Sequence, residues 1–299
     1  MILTKLREAG AIQPPRWLEN GTVYLTLMGS AAYGVSSDSS DVDVYGVCIP
    51  PKDIVFPHTA GAIPGFGTQP ETFDQWQLHR VISPFGKDAI YDFAVFSIIK
   101  YFRLCAENNP NMIDSLFTPR RCVLHSTQIG EMFRERRKEF LHKGCWHKFK
   151  GYAYSQMGKI RDKTSAKNPT RAASIAEHGY DLKYAYHTVR LLNEVEMILT
   201  EGDLDLERNR EQLKSIRRGE WKFEDLERYF TEKERTLEVQ YATSKLPLTY
   251  DEAALKALLL QCLEAHYGSL SNAITTSPDV GRLVREMDDL LARYRTQPN

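Results

Sequence analysis

The stretch Gly29–Val47, GSAAYGVSSDSSDVDVYGV, decides how the chain is read. It sets five serines and three aspartates between two short apolar runs. On its C-terminal side, DVDVYGVCI is rich in β-branched and aromatic residues and predicts a strand. In a strand residues i and i+2 share a face, so Asp41 and Asp43 project together while Val42 and Val44 point into a core. Two adjacent like charges repel, and each carboxyl is harder to ionise unless a cation lies between them. Paired carboxylates suit a hard divalent ion that takes oxygen ligands and leaves positions open for substrate phosphates. On the N-terminal side, TVYLTLMGS predicts a second strand running into a Gly-Ser turn. There Gly29 permits close backbone approach, and Ser30 offers a hydroxyl and an amide to a phosphate oxygen. A solvated turn leading to an exposed strand face is the plain alternative for a lone D-x-D. The Gly-Ser turn at the end of one strand, placed ten residues (31–40) ahead of the pair, argues against it.

Residues 57–84 are rich in Gly, Pro and Thr and predict a long loop with a hairpin near WQLHRVI. AIYDFAV predicts a further strand, followed by a helix over 96–107. Asn109-Pro110 supplies a cap and first-turn proline for the next helix. Beyond Thr127 the pattern is helical. Phe149, Ala153, Met157 and Ile160 form one apolar stripe, and Leu182, Ala185, Val189 and Leu192 another. Thr249 with Glu252 predicts a capping box, the glycine of EAHYG a helix end, and Ser277-Pro278 the start of a last helix. The expected organisation is an α+β chain: a mixed-sheet N-terminal domain over 1–128 and an all-helical domain over 129–299.

Composition bounds the setting. The 299 residues carry 39 Lys plus Arg against 39 Asp plus Glu, a balance that neither demands nor excludes nucleic acid. No apolar run is long enough to span a bilayer, and MILTKLREAG lacks a stretch of signal-peptide length. The five cysteines are scattered and never spaced C-x-x-C, which predicts reduced core thiols in a cytoplasmic protein rather than zinc ligands.

A strand ending in Gly-Ser, a helix-forming segment and Asp-x-Asp on the next strand resemble the DNA polymerase β nucleotidyltransferase superfamily. GSAAYG with SDVDVYGV is closer still to its RlaP-like branch, associated with RNA repair. KFKGYAYSQMGKI, GYDLKYAYHTVRLLNE, IRRGEW and SKLP continue the resemblance through the helical half. The resemblance implies a palm-like catalytic domain whose third carboxylate is Asp92, with Asp88 the weaker candidate. It also implies two Mg²⁺ or Mn²⁺ ions held by Asp41, Asp43 and Asp92, an NTP substrate, and an RNA 3′ end as acceptor. A protein side chain or small molecule is the alternative acceptor. A degenerate fold that binds nucleotide or RNA without chemistry is the contrasting class, and the intact carboxylates argue against it. Two departures stand out: Ala31 where many relatives carry a basic residue, and Asp114 in place of a more usual glutamate, read as a structural change.

The helical half adds two polar stripes, Lys148, Tyr152, Ser155 and Lys159 on one helix and Lys183, His187 and Arg190 on the next. They read either as solvated faces or as linings of a nucleotide cleft, with Lys159, Lys183, His187 and Arg190 as the nucleotide contacts. Between them KIRDKTSAKNPTR holds five cations against one acid, a phosphate-backbone contact or a plain surface loop. Trp146, Trp221 and Tyr229 read as packing residues rather than base-stacking platforms.

Overall fold

The computed structural model describes residues 1–36, 41–62, 67–68, 71–85, 89–162 and 169–268. Its centre is a five-stranded mixed sheet, built from β1 (Thr22–Leu27), β2 (Val42–Cys48), β3 (Gln75–Ile82), β4 (Ile90–Ser97) and β5 (Val123–Ser126) in the order β3-β4-β2-β1-β5. Only β2 and β4 run parallel; the remaining pairs are antiparallel. With helices packed around this sheet the fold class is α+β, as expected. The hairpin expected near WQLHRVI is the β3–β4 pair. β5 has no counterpart in the sequence reading: four residues at a sheet edge leave too short a run for alternation to register.

β1 is buried along nearly its whole length, so its polar side chains need partners. Tyr24 and Thr26 find them in Thr118, each at 2.8 Å, just past the Pro110–Phe117 helix. Between β1 and β4, Gly46 has no room for a side chain, since a Cβ would stand 2.4 Å from Leu25 Cδ2. Helices begin where short polar residues cap them. Ser97 caps Ile98–Ala106, Asn109 caps Pro110–Phe117, and Asp181 caps Leu182–Glu201, which ends at Gly202 with φ +63°. For Glu252–Tyr267 the N-terminal acceptor is Asp251, whose Oδ1 takes the Ala254 amide at 3.0 Å, rather than Thr249. Gly268 ends that helix with φ +78°; the helix expected after Ser277-Pro278 lies outside the described residues.

Both predicted apolar stripes are interior. Phe149, Ala153, Met157 and Ile160 are buried, as are Ala185, Val189 and Leu192, and the Cys145–Arg161 and Leu182–Glu201 helices pack along one another. The chain divides into two compact units. The first, Met1–Ile49 with Asp74–Cys262, holds the whole sheet and the helices from Ile98–Ala106 to Phe223–Thr243. In the second, Pro50–Phe73 with Leu263–Asn299, the Tyr267 hydroxyl donates to the Pro50 carbonyl and its ring meets Phe56 at 6.1 Å. Among the described residues no helix is long and apolar enough to cross a membrane.

Candidate active site

The parallel pairing of β2 with β4 sets Asp43 directly beside Asp92. Paired residues of neighbouring strands face the same side of a sheet, so the two carboxylates share one surface. Asp43 is half-buried, and burial raises its carboxyl above the ordinary range; the charge of Asp92 adds to the rise, while Lys183 opposes it. The Gly-Ser turn closes on the same carboxylate. The Met28 amide donates to the Asp43 carbonyl at 2.8 Å, and Gly29 follows with φ +59°. A Cβ on Gly29 would stand 2.1 Å from Asp43 Oδ2, so glycine here lets strand and turn close together. Half-buried Ser30 is next in the same turn, within Gly29–Ala31. Asp41 is exposed and lies one residue ahead of β2, outside the ladder that pairs Asp43 with Asp92. Asp88 lies outside the described residues.

On the far side of Asp92, β3 is bulged. Pairing runs to Leu78↔Phe93 and resumes at Val81↔Tyr91, leaving His79 and Arg80 opposite Asp92. The Arg80 amide donates to Asp92 Oδ1 at 2.7 Å, and His79 Nδ1 lies 3.5 Å from the same oxygen. Neither residue carries a sequence signal for this role; a bulge in an edge strand shows only in the pairing.

Behind the turn, arginines from three separate elements hold the segment 31–35. Arg121 donates to the Ala31 carbonyl at 2.9 Å, Arg217 donates to the Val35 carbonyl, and the Arg190 guanidinium lies 4.5 Å from the centre of the Tyr33 ring. The Tyr33 hydroxyl donates to Asp114 Oδ2 at 2.7 Å; Arg190 donates to that oxygen as well and, at 2.9 Å, to Glu194 Oε1. Asp114 is thus structural, as expected from its place. Burial pushes the Asp114 and Glu194 carboxyls up, and Arg190 opposes the rise in both. Asp114 Oδ1 and Arg190 Nε are buried without hydrogen-bond partners.

The Lys183–His187–Arg190 stripe therefore does not lie on one open face. Lys183 is exposed, His187 is partly covered, and Arg190 is only 5% exposed and engaged by two carboxylates. The helical spacing is correct, but the Leu182–Glu201 helix is buried on most of its circumference from Ala185 onward, which leaves no solvated side at Arg190. His187 keeps a pKa well below its ordinary value, first through burial and then through Arg190, Lys183, Arg171 and Arg217. Lys159 and Arg171 lie over the Tyr184 ring, at 5.4 and 4.3 Å from its centre. Of the expected basic loop, Arg161 pairs with Glu227 at 3.1 Å and Arg171 with Asp181 at 3.3 Å, while Lys163 and Lys167 lie outside the described residues. Trp146 is buried; Trp221 Nε1 donates to Ser215 at 3.0 Å, and Tyr229 to Asn193 at 2.6 Å. All three are packing residues.

Among the described residues no three His, Cys, Asp or Glu side chains converge as a ready-made metal cage. The donor set still suits Mg²⁺, which is commonly bound by one or two carboxylates together with substrate phosphates rather than by an all-protein cage. Asp43 and Asp92, two oxygen donors whose charges reinforce one another, are such a pair.

A family model described as RlaP, RNA repair pathway DNA polymerase beta family, matches residues 8–244. Among solved structures, a nucleotidyltransferase-like protein from Exiguobacterium sibiricum is similar at 8% identity and a TM-score of 0.29, over 88% of this chain and 74% of that one. That likeness is too distant to bear on fold or function. No curated protein matches the chain.

Proposed function

The chain belongs to the RNA repair pathway family of DNA polymerase β proteins, and on that basis we propose that it is a nucleotidyltransferase. It moves a nucleoside monophosphate from an NTP to an acceptor hydroxyl, with an RNA 3′ end as the acceptor. The observation that carries this reading is the in-register pair Asp43 and Asp92, with Gly29 seated on the Asp43 carboxylate.

Asp43 and Asp92, joined by Asp41 at the strand mouth, would hold Mg²⁺ or Mn²⁺, two ions in the full arrangement. Such ions, when bound, neutralise the triphosphate and make the acceptor hydroxyl more acidic. The chain's own groups do the remaining work. The Gly29–Ser30 turn receives phosphate oxygens through its amide and hydroxyl. Lys183, whose charge is felt at Asp43, offsets negative charge on the nucleotide; Lys159 adds to it, and His187, kept neutral, contributes a hydrogen bond rather than charge. Asp92 orients the acceptor hydroxyl, whose oxygen forms the new bond to the α-phosphorus as the bond to the leaving pyrophosphate breaks. The hydroxyl proton passes by way of the carboxylate to solvent. This chemistry depends on positioning and charge neutralisation, so a rigid two-strand platform suits it. The five buried, unpaired cysteines fit a cytoplasmic setting.

The test is incubation with each α-labelled NTP and separate RNA, protein and small-molecule pools, with Mg²⁺ or with chelator. Metal-dependent label in RNA, lost in Asp43→Ala, is the expected result. Label in protein or small molecules reassigns the acceptor, and no label in any pool overturns the enzymatic reading.

A further inference from the structure

Along the sheet the site has an order: the Gly29–Ser30 turn at the end of β1, Asp43 on β2, Asp92 on β4, and the β3 bulge beyond. The turn lies on the Asp43 side of the pair, and His79 with Arg80 lies on the Asp92 side. β3 is the edge strand, and both side chains are open to solvent.

The backbone of Arg80 adds a second observation. Its φ of +56° is a conformation that glycine adopts freely and other residues adopt at some cost. The amide bond to Asp92 Oδ1 accounts for the conformation, because the bulge turns that N–H onto the carboxylate. It does not account for arginine, since glycine would donate the same bond with less strain. What arginine adds is an exposed cationic side chain on the residue whose amide holds that carboxylate. His79, 3.5 Å from the same oxygen, adds a ring N–H donor.

We infer that the β3 bulge is the acceptor-side phosphate site: Arg80 and His79 receive the terminal phosphodiester of a single-stranded RNA whose 3′ hydroxyl addresses Asp92. The inference rests on the reading of Asp43 and Asp92 as the catalytic pair. Single-stranded RNA is favoured over an acidic polypeptide because the strand ends in exposed Ile82 and is followed by exposed Phe85, 73% and 52% accessible. A cation followed by an exposed aromatic ring suits a phosphate followed by an unpaired base. An acidic peptide would use only the cation.

The experiment measures binding of a fluorescent oligoribouridylate with a free 3′ hydroxyl across a range of salt concentrations, without NTP. Each phosphate contact on a single strand contributes about 0.7 to the slope of log affinity against log salt. Arg80→Gly, which keeps the backbone conformation and the amide donor, should flatten the slope by about 0.7 and weaken binding by roughly tenfold at low salt. Arg80→Lys should restore the slope, and His79→Gln should weaken binding in the same direction. Unchanged slope and affinity in Arg80→Gly overturn the assignment, as does a loss that Arg80→Lys fails to restore. Displacement of the RNA by polyglutamate at equal phosphate or carboxylate concentration overturns RNA as the occupant. Because no NTP is present, RNA binding is read apart from nucleotide transfer, so intact binding with failed transfer overturns the catalytic pair and not the phosphate contacts. Transfer to RNA with unaltered binding in the variants overturns the bulge alone.

Discussion

Gly29 and Asp43 are in contact through the missing side chain: a Cβ on Gly29 would stand 2.1 Å from Asp43 Oδ2 and 3.2 Å from its Cγ. The contact couples the two parts of the site, because the turn cannot move toward β2 and the carboxylate cannot move toward the turn. Gly29 also sits at φ +59°, where an L side chain is strained regardless of space. Gly29→Ala should therefore displace the carboxylate and strain the turn together. Displacement of about 1 Å at a reacting centre commonly costs about 100-fold in rate, and the left-handed strain costs about 1–3 kcal/mol. Single-turnover transfer and denaturant unfolding check the two effects separately. Wild-type turnover would show that the turn does not set the position of Asp43.

Asp43 itself should show opposite effects on activity and stability. Its carboxyl is raised first by burial and then by Asp92, so the ionised form is disfavoured in the folded protein. For a carboxyl raised on folding, stability falls as pH rises from the unfolded value to the folded one, and the loss persists at neutral pH. Asp43→Asn removes that penalty. The expected variant transfers no nucleotide, yet unfolds at or above the wild-type midpoint at pH 7, with the difference vanishing in acid. A lower midpoint at neutral pH would contradict this account of the carboxylate pair.

Arg190 is where helical spacing and structure part company. On a wheel it joins Lys183 and His187, which predicts that its loss weakens ligand binding before stability. In the folded chain it is the cation between two buried acids, Asp114 and Glu194. Removing one partner of a buried ion pair leaves uncompensated charge and typically costs about 3–5 kcal/mol. Arg190→Met should therefore lower unfolding free energy by that order, with a smaller loss for Asp114→Asn, which keeps an acceptor for Tyr33. Urea unfolding decides the matter. A stable Arg190→Met variant with weakened nucleotide binding would return the residue to the open face.

What could be read from the chain follows from the range of each signal. The Gly-Ser turn, the strand carrying Asp43, the Asn109 cap and the two apolar stripes depend on residues a few positions apart and lie where their spacing implies, whereas Asp41, expected on the same strand, falls one residue ahead of it. The pairing of Asp43 with Asp92 depends on which strand β2 meets and in what register, a property of the sheet order rather than of either strand. The burial of Arg190 depends on acids 76 and 4 residues away, of which only Glu194 is local. The Arg80 bulge left no local mark, because an arginine with positive φ has the same neighbours in sequence as one without.

His187 should impose a pH limit on stability. Burial and the charges of Arg190, Lys183, Arg171 and Arg217 hold its pKa well below the usual value, so the folded protein keeps it neutral. The unfolded chain protonates the same imidazole near pH ~6.5. The unfolded state therefore binds the extra proton, and folding stability declines as pH falls below about 6.5. For one such group the slope approaches about 1.4 kcal/mol per pH unit and ends once pH passes below the folded pKa. Asp and Glu titrations add their own slopes in acid, so the test is the difference between wild type and His187→Gln. Urea unfolding at intervals from pH 7.5 to 5 should show the two curves parallel at the alkaline end and converging or crossing in acid. The wild type should lose about 1 kcal/mol or more relative to the variant. Curves that remain parallel throughout would mean that His187 titrates alike in both states, and that the four cations do not hold it neutral.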